Sequence, residues 1–129
     1  MTRDELERWV ATYERAWRTA GTDVLADVFT EDVVYRMSPY DPGAHGLDAV
    51  GDIWDREREG PDEAFTMTAS VVACDGDIGV VRVEVRYGPP RGQEWRDLWI
   101  VRLAADGRCA EFEEWPIAPP SSGQSPTLG

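Results

Sequence analysis

Lysine is absent from this chain of 129 residues, and all 13 basic residues are arginine. A catalytic lysine and a lysine Schiff base are thereby excluded. Histidine occurs once, as His45, so no site can rest on several imidazoles. The two cysteines, Cys74 and Cys109, are too few for a disulfide framework and lack metal-ligand spacing. They read as small buried hydrophobes, free thiols in a reducing compartment. Asp75-Gly76-Asp77 reads as a turn and no E-x-x-H occurs, so no ligand spacing supports a metal site. The glycines form no phosphate-cradling loop, and Gly-x-Ser-x-Gly does not occur, which argues against a serine nucleophile at Ser38. No apolar run is long enough to span a bilayer and no signal-peptide pattern opens the chain, so a cytoplasmic location is expected. Positive charge is scarce as well. With 25 acidic residues the net charge is −12, which speaks against nucleic acid and anionic membranes as partners and favours simple solubility.

What the chain does have is a clear order of elements. Residues Arg3 to Thr19 read as an amphipathic helix, with Leu6, Trp9, Val10, Tyr13, Ala16 and Trp17 at helical spacing. Thr2 and Glu5 suit a capping box at its start, and Gly21 stops it. A short helix from Asp23 to Phe29 and a strand from Asp32 to Ser38 follow. Two prolines and two glycines make residues 39–46 a loop. A third helix runs from Leu47 to Glu59 and ends at Gly60-Pro61. Four strands complete the pattern: Ala64 to Cys74, Ile78 to Tyr87, Gln93 to Leu103 and Cys109 to Ile117. Helices first and strands last indicate an α+β domain with helices on one face of an antiparallel sheet. Residues 1–117 form one domain, and the Pro-, Ser- and Gly-rich residues 118–129 read as a disordered tail. Val81, Val83, Val85 and Tyr87 share one face of their strand against Arg82, Glu84 and Arg86 on the other.

The last hairpin carries the chemistry. Trp95, Asp97, Trp99, Val101 and Leu103 share a strand face. If Leu103 pairs with Arg108, Trp99 lies opposite Phe112 and Asp97 lies opposite Glu114. Two acids on an apolar face are costly unless paired or used. Set side by side they cannot both ionise easily, so the pair holds one proton and offers a donor and a base in one site. The duller roles are that Asp97 bonds a loop backbone or an arginine and that Glu114 reaches solvent at the cavity rim, and the non-catalytic alternative locks the acids to arginines such as Arg36.

The pattern resembles the nuclear transport factor 2-like superfamily over about residues 4 to 117. The resemblance rests on Tyr13…Trp17…Gly21, on Val28-Phe29-Thr30-Glu31-Asp32-Val33-Val34-Tyr35, on His45-Gly46-Leu47-Asp48-Ala49-Val50, and on Leu103-Ala104-Ala105-Asp106-Gly107-Arg108. It implies a cone-shaped fold, with three N-terminal helices packed on a curved antiparallel sheet around an apolar pocket. The superfamily includes ketosteroid isomerases, SnoaL-like polyketide cyclases, limonene epoxide hydrolases and scytalone dehydratases, as well as non-catalytic proteins. Tyr13 matches the tyrosine of the isomerase oxyanion hole, a worked case of pKa tuning. The isomerase's protonated Asp matches Trp99, and its base falls at Met37 or Ser38, neither of them a carboxylate. One acid of the epoxide hydrolases matches Glu114. The other members of that set fall near Val81 and Val83, or at Arg82 and Glu84. Likeness to the cyclases implies an acid–base carboxylate in an apolar pocket and no cofactor.

These readings converge on two alternatives. One is a cofactor-free acid–base enzyme acting on a small apolar carbonyl- or epoxide-bearing metabolite. In it Asp97 and Glu114 share the proton, Tyr13 polarises an oxygen and His45 assists at the mouth. The other is a non-catalytic binding or scaffold protein of the same fold. Trp9, Trp17, Tyr35, Met37, Trp54, Met67, Trp95, Trp99 and Phe112 are expected as pocket wall and core. A homodimer through the outer sheet face, with Leu98, Ile100 and Trp115 in contact, is expected from the fold.

Overall fold

A computed structural model describes residues 1–58 and 63–120. The end of the third helix at Gly60-Pro61 and most of the tail lie outside the described residues. Helix α1 spans Arg3–Trp17, and the Thr2 side chain caps it by accepting from the Glu5 amide at 3.1 Å. Such a cap contributes about 1 kcal/mol. The helix ends four residues before Gly21. The short helix α2 (Leu25–Val28) is smaller than its sequence suggests, because Phe29 already belongs to strand β1 (Phe29–Arg36). Within the expected loop, Ala44 and His45 form a two-residue strand, β2, against Tyr35 and Val34. Helix α3 covers Leu47–Glu57. Strands β3 (Phe65–Asp75), β4 (Ile78–Tyr87), β5 (Glu94–Leu103) and β6 (Cys109–Ile117) fall within a residue or two of expectation.

The six strands form one sheet in the order β2-β1-β6-β5-β4-β3. The expected antiparallel sheet is in fact mixed, since β1 runs parallel to β6. The chain permits this because α3 and four strands intervene between the two, which is ample length for a crossover. Register shifts in β3 after Val71 and in β6 after Cys109 add twist and curve the sheet toward the helices. Val81 and Val83 face inward and are fully buried, whereas Arg82 and Glu84 are exposed. The inner face of β4 therefore carries no counterpart of an epoxide hydrolase's arginine and acid.

The N-terminal half of α1 closes one end of the space between the layers. Leu6 is fully buried and sits against Gly79, where an added Cβ would collide with it. Trp9 packs edge-on to Phe29, and its indole N–H donates to the Val28 carbonyl at 2.9 Å. At the other end, Arg58 ties α3 to α1. It donates to the carbonyls of Thr19 and Gly21 at 2.9 Å each and lies over the rings of Trp17 and Trp54. Those carbonyls follow a helix terminus and have no partner in the helix. The outer face of the sheet leaves Trp115 and Ile117 exposed beside its charged ladder.

Candidate functional site

The C-terminal half of α1, the start of β5 and the end of β6 hold the layers apart around a cavity of about 140 Å³. Tyr13, Trp17, Tyr35, Trp95 and Trp99 supply aromatic wall, and Met37 and Met67 supply flexible apolar wall. Asp97 and Glu114 both open onto it. Each of these residues is a sequence expectation that the fold brings to one place.

The acids meet in a different register from the one expected. Trp99 lies opposite Glu114, Val101 opposite Phe112, and Asp97 opposite Pro116. The cause is the turn and the bulge after it. Ala104 and Arg108 close the turn by an amide-to-carbonyl bond of 2.8 Å, and Leu103 pairs with Cys109. Ala110 is then the extra residue, since Arg102 already pairs with Glu111. The total displacement beyond the bulge is two residues, which preserves the face because side chains alternate with period two. Asp97 and Glu114 are thus diagonal neighbours, within reach of longer side chains.

Their electrostatics follow from that placement. Asp97 is 7% exposed, and its Oδ1 is buried with no hydrogen-bond partner. Burial raises the Asp97 pKa, while hydrogen bonds from Glu114 and the Ile117 amide oppose the rise. Burial pushes Glu114 up further, and the charge of Asp97 and its hydrogen bond to Asp97 push in the same direction. The hydrogen bond between the two acts upward on Glu114 and downward on Asp97, which favours the proton on Glu114. Among the described residues, neither acid enters an ion pair with an arginine. Arg36 lies near Asp41 instead, and Asp41 accepts from the amides of Met37 and Gly43 as a turn residue.

Tyr13 and Tyr35 stand across from the acids. Burial holds both phenols well above their ordinary pKa, and the Glu114 charge adds to this. Both are thus hydrogen-bond donors throughout the neutral range. Tyr13 packs against Trp99 with ring centroids 4.4 Å apart. The indole N–H groups of Trp54 and Trp99 are buried without partners.

Three expected wall residues lie deeper. Trp9, Trp54 and Phe112 are buried in the core and do not line the cavity. Trp54 backs Tyr13 and Trp17, and Phe112 stacks on Tyr35 at 4.8 Å. His45 is the clearest departure from expectation. It sits exposed on β2 at the sheet edge, paired with Val34, and is not among the cavity-lining residues. The short strand places it there, and proline and glycine content gave no sign of that strand.

Sequence reasoning missed Glu57, Tyr87 and Arg91 as part of the wall. Tyr87 continues the inward face of β4, so alternation alone could have found it. Glu57 lies one helical turn after Trp54. Arg91 comes from the turn after β4, where only a fold could place it. Its guanidinium lies 3.9 Å over the Tyr87 ring and bonds Glu63 at 2.9 Å. Burial raises the Tyr87 pKa to about 12. No cluster of three or more metal-ligating side chains gathers among the described residues. No helix there is long and apolar enough to cross a membrane.

Helices over a curved mixed sheet, with a pocket between the layers, define the nuclear transport factor 2-like class. Within it the chain belongs to the SnoaL-like domain family, whose model matches residues 7–112. Solved structures with the same fold are numerous. Rv0760c from Mycobacterium tuberculosis superposes with a TM-score of 0.69 at 16% identity, covering 89% of this chain and 92% of that one. A ketosteroid isomerase-like protein from Erwinia carotovora atroseptica gives 0.59 at 23% identity, with 91% and 97% covered. A computationally designed 17-OHP binder gives 0.64 at 18% identity, with 83% and 89% covered. No curated protein matches the sequence.

Proposed function

We propose that the chain is a cofactor-free acid–base enzyme of the isomerase or cyclase type, acting on a small apolar molecule that bears a carbonyl or epoxide. The observation that carries this reading is the Asp97–Glu114 pair, two interacting carboxyls in an aromatic-walled cavity. A structural ion pair would hold an arginine there, and neither acid has one. With the proton on Glu114, Asp97 is an ionised base and Glu114 is the acid beside it. Tyr13 donates to a substrate oxygen as negative charge develops on it. The N–H of Trp99, at the position where the isomerases keep an acid, is a second donor available to that oxygen.

The cavity volume of about 140 Å³ sets the scale of the substrate. A dry cavity of about 150 Å³ accepts benzene. The reacting part is therefore a single ring or a short chain, and anything larger extends beyond the cavity.

Turnover of small cyclic ketones, enones and epoxides by wild type, Asp97→Asn and Glu114→Gln tests the proposal. Loss of either acid is expected to lower kcat by about 10²- to 10⁴-fold. Turnover unchanged by both substitutions contradicts it. The designed 17-OHP binder supports a second reading, a non-catalytic binder, because a protein of the same fold is a designed binder. On that reading ligands bind and none is turned over.

A further inference from the structure

We propose that the pocket selects a substrate carrying a protonated amine, held between the aromatic wall and Asp97. This rests on the acid–base reading of the same pocket and narrows its substrate class. Three observations lead to it.

The first is the unused acceptor. Asp97 Oδ1 is buried with no partner, and Asp97 lines the cavity. A buried acceptor left unpaired is costly, so a ligand that brings a donor to it is favoured. A charged N–H donor gives the stronger, charge-assisted bond.

The second is the wall. Trp17, Tyr87, Trp95 and Trp99 line the same cavity as the acids. Ring faces carry the negative end of the quadrupole and attract cations. The protein already uses them so at the rim. Arg18 lies 3.8 Å over Phe65 and Arg91 lies 3.9 Å over Tyr87, and both rings line the cavity.

The third is the charge balance. Three carboxyls face the cavity: Glu57 from α3, Asp97 from β5 and Glu114 from β6. The phenols of Tyr13, Tyr35 and Tyr87, from α1, β1 and β4, stay neutral. Among the described residues Arg91 is the one cationic residue in the wall, and Glu63 pairs with it. Arg18 at the rim is paired with Glu14 at 3.0 Å. The uncompensated charge of the site is negative, and a cation answers it.

Binding of benzylamine and benzyl alcohol, read by tryptophan fluorescence on the full chain at pH 7.5, tests the proposal. The two probes share a ring and differ in the cationic nitrogen. Benzylammonium is expected to bind about tenfold more tightly or better. That preference should shrink as pH falls and the acid pair takes up its second proton. It should vanish in Asp97→Asn and weaken in Glu57→Gln, read in each variant as the ratio of the two affinities. Equal affinity of the two probes for wild type overturns the inference while leaving the acid–base pocket standing. A preference that survives in Asp97→Asn overturns the assignment to that residue. Failure of both probes to bind overturns the pocket reading together with the inference.

Discussion

The two ends of the space between helices and sheet use the same residue types for opposite ends. In the closed end, Trp9, Phe29 and Phe112 are buried, and the one indole N–H there is bonded to the Val28 carbonyl. In the open end, Trp54 and Trp99 keep their N–H groups unpartnered, and Asp97 keeps a bare oxygen. Buried polar groups in native proteins are nearly always satisfied. Their failure to be so here, in two residues of the cavity wall and in Trp54 behind it, separates a region built for stability from one built to take a ligand. Aromatic content alone does not distinguish them.

The comparison breaks most readily at Phe112. It is fully buried, stacks on Tyr35 and meets Trp99 edge-on. Phe112→Ala should destabilise the fold by about 3–5 kcal/mol, read by denaturant unfolding. A loss under about 1 kcal/mol would show that the closed end is not a packed core.

A smaller effect of opposite sign is expected in the open end. The Glu114 pKa is higher in the folded chain than in the unfolded one. Between those two values the folded state binds more protons, so stability falls as pH rises through that window. Above the window Glu114→Gln should be more stable than wild type. Below the unfolded value of about 4.3 the two should converge. Denaturation midpoints compared at acidic and neutral pH read this directly, and a destabilised variant at neutral pH would place Glu114 among the structural residues.

Much of this division could be read in the sequence. Helical spacing found the buried face of α1, and period-two alternation placed Asp97, Trp99 and Glu114 on one face of the hairpin. What alternation could not supply was partnership. It holds the face of a strand but not the residue opposite, so the turn and the bulge at Ala110 together moved the pairings by two while leaving both acids inward. His45 failed for a related reason, because a two-residue strand has no periodicity to detect. Arg91 reaches the cavity from a turn, and Glu57 from the last turn of a helix. Their positions are set by packing between distant segments, which a linear pattern does not encode.

The central claim is that Asp97 and Glu114 act as a pair holding one proton. Carboxyl carbon shifts of the two side chains, followed by NMR across acidic to neutral pH, test it most directly. The account predicts that Glu114 remains protonated above the ordinary carboxylate range, that Asp97 loses its proton first, and that each resonance reports the other's titration. Two independent titrations at ordinary carboxylate values, about 3.9 and 4.3, would contradict it.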